Sequence, residues 1–215
     1  MTTPTGPGRP RYDDFTALIV VDVQNDFADP RGSLAVAGAD AVVIAADREI
    51  AAARAAGSLV VYTQDWHPAH TPHFAADGGT WPVHCVRDTW GAAFHDALAV
   101  DGPVVRKGSN GEDGYSGFTM RDPVSGDTTP TELAELLHQR AIERVVVIGL
   151  ATDYCVRATA IDARALGFAT TVVRDAIAAV DLQPGDGERA LAELVTSGVA
   201  VEAGKSASTI RTATR

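Results

Sequence analysis

The hydrophobic positions of this chain fall into short unbroken runs, separated by longer stretches with helical periodicity. An apolar run without polar alternation is typical of a parallel strand that is covered on both faces. Such runs predict strands at 17–21, 59–62, 103–106, 145–148, 169–173 and 199–201. The periodic stretches predict helices at about 40–56, 131–140, 152–166 and 188–197, and Gly57 and Gly167 follow two of them as helix ends.

Strands and helices therefore alternate along the chain. With right-handed crossovers, this order predicts a three-layer α/β/α sandwich around a central, mostly parallel six-stranded sheet. The length of 215 residues suits one domain with a sizeable core, which we place at 15–215. Residues 1–14 are rich in proline, glycine and threonine, and we expect them to form a flexible N-terminal extension.

Composition narrows the classes of partner. The net charge of −10 argues against nucleic acid or an anionic membrane as the main partner. There is neither an apolar run long enough to span a membrane nor an apolar N-terminal signal stretch, and only two cysteines, Cys85 and Cys155, are present. We therefore expect a cytoplasmic protein that acts on a small molecule. The sequence leaves open whether the chain is a monomer or a homo-oligomer.

Three reactive residues follow predicted strands at the sheet edge where parallel sheets bind ligands. Asp22 follows the first strand, Lys107 the third and Cys155 the fourth. A cysteine can attack a carbonyl group, a carboxylate can carry its proton and an ammonium group can stabilise the anions. Backbone N–H groups of Ala151 and Cys155 could hold the oxyanion. Taken singly, Asp22 could cap a loop, Lys107 could be a solvated charge and Cys155 could be a small buried residue. Their joint placement at the sheet edge favours a catalytic role.

The turn that carries Cys155 also predicts how the sulfur is activated. Gly149 ends the strand 145–148 and permits the turn, and Thr152 or Asp153 can cap the next helix. Cys155 would then lie in the first helical turn, where the helix dipole favours thiolate over thiol. The alternative is a small buried residue that only closes the turn.

A second cluster of candidate residues lies in the long loop that follows the second strand. Four of the six histidines fall within it, beside Asp65 and Cys85, at positions 67, 70, 73 and 84. Imidazole and carboxylate ligands suit zinc, iron or manganese. The spacing matches no common zinc motif, and the alternative is a solvated surface loop. The residue types alone do not decide which three histidines would bind or whether Cys85 joins them.

These motifs together resemble the nicotinamidase/pyrazinamidase branch of the isochorismatase-like cysteine hydrolases, from about residue 17 to about residue 203. The matching segments are 19–27, 32–36, 65–67 with His73, 81–85, Lys107-Gly108, 115–118 and 149–156. Two departures from the family pattern stand out. Tyr154 replaces a histidine found in some members, and the loop 28–31 differs by one residue from compact members, which affects the placement of Leu34.

The resemblance implies a role for each matched residue. Cys155 would be the nucleophile, Asp22 the general base and then acid, and Lys107 the electrostatic support. One divalent metal ion (zinc, iron or manganese, with zinc favoured) would be bound by Asp65, His67, His73 and His84. The substrate slot would be lined by Phe27, Leu34, Trp81, Tyr115, Leu150 and Ala151. A cis peptide bond is implied between Leu150 and Ala151.

The implied activity is hydrolysis of nicotinamide to nicotinate and ammonia through a cysteine thioester, which would supply NAD salvage. Pyrazinamide would be a second substrate, because it differs by one ring atom. One alternative is another small-amide hydrolase of the same superfamily. Another is a catalytically silent member that only binds a metal or ligand.

Overall fold

The computed structural model describes residues 11–204, and it contains the six-stranded sheet that the sequence predicts. The eight strands are β1 Thr16–Val21, β2 Leu59–Asp65, β3 Val104–Lys107, β4 Thr119–Arg121, β5 Thr128–Pro130, β6 Arg144–Leu150, β7 Ala169–Ala178 and β8 Ala200–Glu202. The large sheet has the order β3-β2-β1-β6-β7-β8, and every neighbouring pair in it is parallel. Strands β4 and β5 form a separate antiparallel hairpin.

Helices cover both faces of the large sheet. They are α1 Asn25–Ala28, α2 Ala39–Ala55, α3 Leu133–Gln139, α4 Arg157–Ala165 and α5 Asp186–Thr196. Because side chains alternate along a strand, Leu18 and Val20 of β1 share one core with α2, whereas Ile19 shares the other core with α3, α4 and α5. The predicted three-layer α/β/α sandwich is confirmed.

Several elements differ from the predicted ones. Strand β2 continues to Asp65 and β7 to Ala178, beyond the apolar runs that predicted them. The polar residues at the end of β2 are buried and still pair with β3, so the hydrophobic pattern ends before the strand does. The hairpin β4–β5 and the short helix α1 lie in segments where the hydrophobic pattern predicted neither a strand nor a helix.

The turn before α4 is not the capped α-helical turn that we expected. Residues Thr152–Val156 form one π-helical turn, and no side chain caps it. The carboxylate of Asp153 instead accepts hydrogen bonds from the backbone N–H groups of Val180 and Asp181, each at 2.9 Å. The cap prediction is wrong because this carboxylate is used by a loop that is distant in sequence.

Residues 11–14, which we expected to be flexible, contact the rest of the protein. Tyr12 is buried, and its hydroxyl donates to Glu49 of α2 at 2.7 Å. Arg11 forms an ion pair with the same carboxylate at 3.0 Å. The expected flexibility of 1–10 and the expected extent of the domain after 204 lie outside the described residues. Within 11–204, none of the helices combines the length and the apolar character needed to cross a membrane.

Candidate active site

The carboxyl ends of the central strands bring the three predicted reactive side chains together. Asp22 directly follows β1, Lys107 is the last residue of β3, and Cys155 lies in the turn after β6. Asp65, the last residue of β2, is paired in register with Lys107. All four residues are buried, so the site lies beneath the surface at this edge of the sheet.

Lys107 connects these residues. Its Nζ lies 2.8 Å from Oδ2 of Asp22 and donates to Oδ1 of Asp65 on the other side. The same nitrogen donates to the carbonyl oxygen of Gly114 at 2.9 Å and lies 3.6 Å from Sγ of Cys155. Burial opposes the charge, but the two carboxylates outweigh burial and hold the pKa of Lys107 well above its ordinary value. The lysine is therefore a fixed positive charge.

Burial also sets the protonation of Asp22 and Cys155. It raises the pKa of Asp22 although Lys107 opposes the shift, and the hydroxyl of Thr63 donates to Oδ1 at 2.7 Å. Burial raises the pKa of the Cys155 thiol well above its ordinary value, again against the effect of Lys107. The expectation of a thiolate is wrong for the resting site. A thiol beside a basic carboxylate fits transfer of the proton to Asp22 during attack.

A second cluster, next to the first, contains three of the four predicted histidines. His67, His73 and His84 are buried, and each contributes a ring nitrogen to a group whose members lie within 4.8 Å of one another. Oδ2 of Asp65 lies 3.9 Å from Nε2 of His67 and 3.9 Å from Nε2 of His84. His70 is instead 88% exposed at its side chain, beside Asp77.

This donor set fits a divalent metal ion. Neither ring nitrogen of His67 has a hydrogen-bond partner within the described residues, although buried polar atoms nearly always have one. Burial lowers the pKa of His84 to about 4, against the effect of Asp65, so its ring is neutral, the form that binds metals. Three imidazoles and a carboxylate are ligands that zinc and its first-row neighbours accept. Cys85 is buried but does not belong to this donor cluster.

Two of the three rings are also held from outside the cluster. Nδ1 of His84 donates to the carbonyl oxygen of Pro82 at 2.7 Å. Oδ1 of Asp113 lies 3.0 Å from Nδ1 of His73, and this contact lowers the pKa of Asp113, which is therefore anionic at neutral pH. Such outer contacts fix the tautomer and the orientation of metal-binding histidines.

An aromatic cleft opens above both clusters. Its walls contain every residue expected to contact the substrate, namely Phe27, Leu34, Trp81, Tyr115, Leu150 and Ala151. The bond between Leu150 and Ala151 is cis. Nε1 of Trp81 donates to the hydroxyl of Tyr115 at 2.9 Å, and Tyr154 packs edge-on against Trp81 with ring centroids 4.9 Å apart. The cleft can hold a flat ring against aromatic walls, with Cys155 at its base.

Sequence reasoning missed three polar residues that support the site. Thr63 holds Asp22, Asp113 contacts His73, and Asp153 ties the cysteine turn to the end of β7. Asp153 belongs to a recognised motif, but the motif gives no indication of its partner. Thr63 and Asp113 have no sequence signal, because their partners are 41 and 40 residues away.

Comparison with known proteins agrees with this geometry. The isochorismatase domain family matches residues 16–205. The nicotinamidase of Escherichia coli K12 is 36% identical over 200 residues, which cover 85% of this chain and 92% of that protein. A pyrazinamidase of Pyrococcus horikoshii, solved in complex with zinc, has a TM-score of 0.78 and 39% identity, with coverage of 87% and 98%.

A second solved structure contains a bound organic acid. PnC1 of L. infantum, in complex with nicotinate, has a TM-score of 0.79 and 36% identity, and the alignment covers 89% of this chain and 94% of that one. Family match, relatives and fold all agree. The chain belongs to the isochorismatase family, in the branch that contains the nicotinamidases and pyrazinamidases.

Proposed function

We propose that this protein is an amidase that hydrolyses nicotinamide to nicotinate and ammonia through a thioester on Cys155. The observation that carries the proposal is the buried contact among Asp22, Lys107 and Cys155 at the base of an aromatic cleft. A sulfur nucleophile, a proton carrier and a fixed positive charge are what amide hydrolysis by a cysteine requires. The nicotinamidase from E. coli and the nicotinate-bound PnC1 support this choice of substrate.

The cleft and the histidine cluster would bind the substrate. Aromatic walls with a few convergent polar groups suit a planar pyridine ring that carries a carboxamide. One divalent metal ion, with zinc favoured, would be bound by Asp65, His67, His73 and His84. When bound, the ion supplies a Lewis-acid contact for the pyridine nitrogen and so orients the carboxamide.

In the first half-reaction, the Cys155 thiol transfers its proton to Asp22 while Sγ attacks the carboxamide carbon. A C–S bond forms, and the carbonyl oxygen becomes an oxyanion that the backbone N–H groups of Ala151 and Cys155 would stabilise. Collapse of this intermediate breaks the C–N bond. Asp22 returns the proton to the leaving nitrogen, so ammonia departs and the thioester remains.

In the second half-reaction, Asp22 takes a proton from water as the water oxygen attacks the thioester carbon. The C–S bond then breaks, nicotinate is released, and the proton returns to the Cys155 sulfur. Lys107 holds Asp22 and offsets the negative charge in both halves. The net reaction consumes one water for each amide bond, and it needs no redox partner.

Two further proposals concern the range and setting of the activity. Pyrazinamide should be hydrolysed as well, because replacing one ring carbon by nitrogen leaves the carboxamide and the pyridine-like nitrogen in place. We also propose a cytoplasmic location and a role in NAD salvage, since nicotinate can re-enter pyridine nucleotide synthesis. The sparing use of cysteine supports a reducing compartment.

The test is ammonia release from a small amide panel by zinc-loaded protein. Nicotinamide and pyrazinamide should be hydrolysed, and benzamide, which lacks the ring nitrogen, should be a poor substrate. Cys155→Ala should reduce turnover at least about a thousandfold with the fold intact. Cys85→Ala is the matched control: this second buried cysteine lies outside both clusters, so turnover should stay within about threefold.

Removing the metal tests the second cluster. Treatment with a chelator should lower activity on nicotinamide, and added Zn²⁺ should restore it. Turnover of another amide, but not of nicotinamide, would instead indicate a different small-amide hydrolase. If the zinc-loaded protein hydrolysed none of the amides, it would be a silent ligand-binding member, and the proposal would be wrong.

A further inference from the structure

We infer that Asp113 is a positioning residue, which holds the ring of His73 in the orientation that a metal ion requires. The inference rests on the proposed metal site and adds a residue to it. Asp113 lies in the loop between β3 and β4, outside the proposed ligand set. It would act through His73 and would touch neither the metal nor the substrate.

The contact itself is short and largely shielded from solvent. Oδ1 of Asp113 lies 3.0 Å from Nδ1 of His73, and the two side chains are 23% and 6% exposed. The contact is an ion pair by distance and does not have the geometry of a hydrogen bond, but the nearby negative charge favours a proton on the facing nitrogen, Nδ1, and so leaves the lone pair of the ring on Nε2. The His73 ring stacks on His67, with centroids 4.9 Å apart. Contact with Asp113 and stacking on His67 therefore restrict the ring from two directions.

Asp113 is in turn held by the β4–β5 hairpin. Its backbone N–H donates to the carbonyl oxygen of Arg121, and the N–H of Arg121 donates back, both at 2.6 Å. The guanidinium of Arg121 lies 3.9 Å from Oδ2, the oxygen that faces away from His73. The hairpin therefore holds the backbone of Asp113 by two hydrogen bonds and places a positive charge near its carboxylate. This adds a role to the loop between β3 and β4, which also carries Tyr115 of the cleft wall.

The three histidines are held differently, which makes the effect specific to one of them. His84 is oriented by a backbone carbonyl of its own loop. Within the described residues, His67 has no hydrogen-bond partner at either nitrogen. Among these three rings, His73 is the one oriented by a charged side chain from another loop. A change at Asp113 should therefore act on metal affinity through His73.

The experiment measures zinc affinity of the full-length chain by competition with a chromophoric chelator, after the protein has been stripped of metal. Asp113→Ala should weaken zinc binding about 10- to 100-fold, the usual effect of losing an outer partner of a metal-binding histidine. Asp113→Asn should weaken zinc binding less, because the partial negative charge of its amide oxygen still favours a proton on Nδ1. Circular dichroism of the metal-free proteins checks that each variant is folded.

Two comparisons separate positioning from general damage to the loop. Asp122→Ala removes the carboxylate that accepts the backbone N–H groups of Val124 and Ser125 in the hairpin turn, so it disturbs the hairpin but does not touch His73. Its zinc affinity should stay within about threefold of the parent. In a His73→Ala background, Asp113→Ala should have no further effect, because the residue through which it acts has been removed.

Each result decides a separate point. Zinc affinity of Asp113→Ala within twofold of the parent would overturn the inference while leaving the metal site intact. A full effect of Asp113→Ala in the His73→Ala background would also overturn it, because the two residues would act independently. If the parent bound zinc no better than His67→Ala, the metal part of the proposed function would fail, and this inference with it.

Discussion

At the scale of single residues, the Lys107 ammonium is where the proposed catalytic and metal-binding groups meet. It contacts Asp22 on one side and Asp65 on the other, with no exposed side-chain surface. One buried positive charge is therefore shared by two buried carboxylates. Removing it would leave both carboxylates without their cation, and breaking a buried ion pair by deleting one partner is strongly destabilising.

The variant Lys107→Met tests this arrangement, because methionine keeps much of the length of the side chain and removes its charge. We expect the free energy of unfolding to fall by about 3–5 kcal/mol and turnover to be lost. Urea unfolding and the ammonia assay measure the two effects. Arg106→Met is the control. Arg106 precedes Lys107 on β3, its side chain is exposed, and it contacts the Trp66 ring and Gln64 instead of a buried carboxylate, so the change should cost about 1–2 kcal/mol. Equal losses in the two variants would contradict the shared-charge interpretation.

Some site residues could be placed from the sequence because strand order alone brings them together. Asp22, Lys107 and Cys155 follow parallel strands, so the topology predicts a common edge. The raised pKa of Cys155 could not be predicted, since its largest cause is burial, which depends on the whole fold and not on the turn alone. His70 and His73 could not be distinguished by residue type and spacing. The family resemblance selected His73, and the folded loop buries this ring and exposes His70.

At the scale of elements, the turn that carries Cys155 depends on a segment distant in sequence. Asp153 is buried within this turn, and its two oxygens accept the N–H groups of Val180 and Asp181. These amides follow the end of β7, so the carboxylate ties the cysteine turn to a neighbouring strand of the sheet. The prediction of a helix cap failed because the alternative partner lies 27 residues away.

Asp153→Asn should loosen this connection. One acceptor oxygen becomes an amide group that faces a backbone N–H, so a buried donor loses its partner at a cost of about 1–3 kcal/mol. We expect kcat to fall about tenfold, because small displacements of a nucleophile are costly. Steady-state kinetics and urea unfolding measure the two effects.

Asp181→Asn is the matched control for this change. Asp181 belongs to the same loop, and its side chain accepts one N–H, from Gly187, through Oδ1. An asparagine oxygen can replace that acceptor, so kcat should remain within about twofold. If Asp153→Asn left kcat unchanged, the connection to β7 would have no part in placing the sulfur.

At the scale of the whole molecule, the layered fold could be predicted because it follows from periodicity and chain order. The packing of residues 11–14 could not be predicted from composition, since Arg11 and Tyr12 depend on a carboxylate of α2. The same segment also reaches the sheet. The Asp13 carboxylate accepts a hydrogen bond from the Thr16 hydroxyl at 2.8 Å and forms an ion pair with Arg144 at 2.5 Å. Asp13 therefore connects the first residues of β1 and β6.

This connection predicts how stability depends on pH. The Asp13 side chain is 26% exposed, and burial is the largest single effect and raises its pKa. Hydrogen bonds from Arg144, Thr16 and the backbone together outweigh burial and lower the pKa from 3.8 to about 2. A carboxylate with a depressed folded pKa adds stability that is fully present above its unfolded value. That stability is lost as the pH falls from about 4 to about 2. The contribution should be about 1 kcal/mol, because solvent screens the pair.

Asp13→Asn should therefore lower the free energy of unfolding by about 1 kcal/mol at pH 7, and the difference from the parent should shrink to near zero at pH 2. Urea unfolding across this range measures it. Asp14→Asn, in which the neighbouring exposed carboxylate is changed, should differ from the parent by about 0.5 kcal/mol or less at neutral pH. A deficit in Asp13→Asn that stayed constant down to pH 2 would show that the residue stabilises the fold without its charge. The contacts of Asp13 with the first residues of β1 and β6 would then stabilise the fold through hydrogen-bond geometry alone.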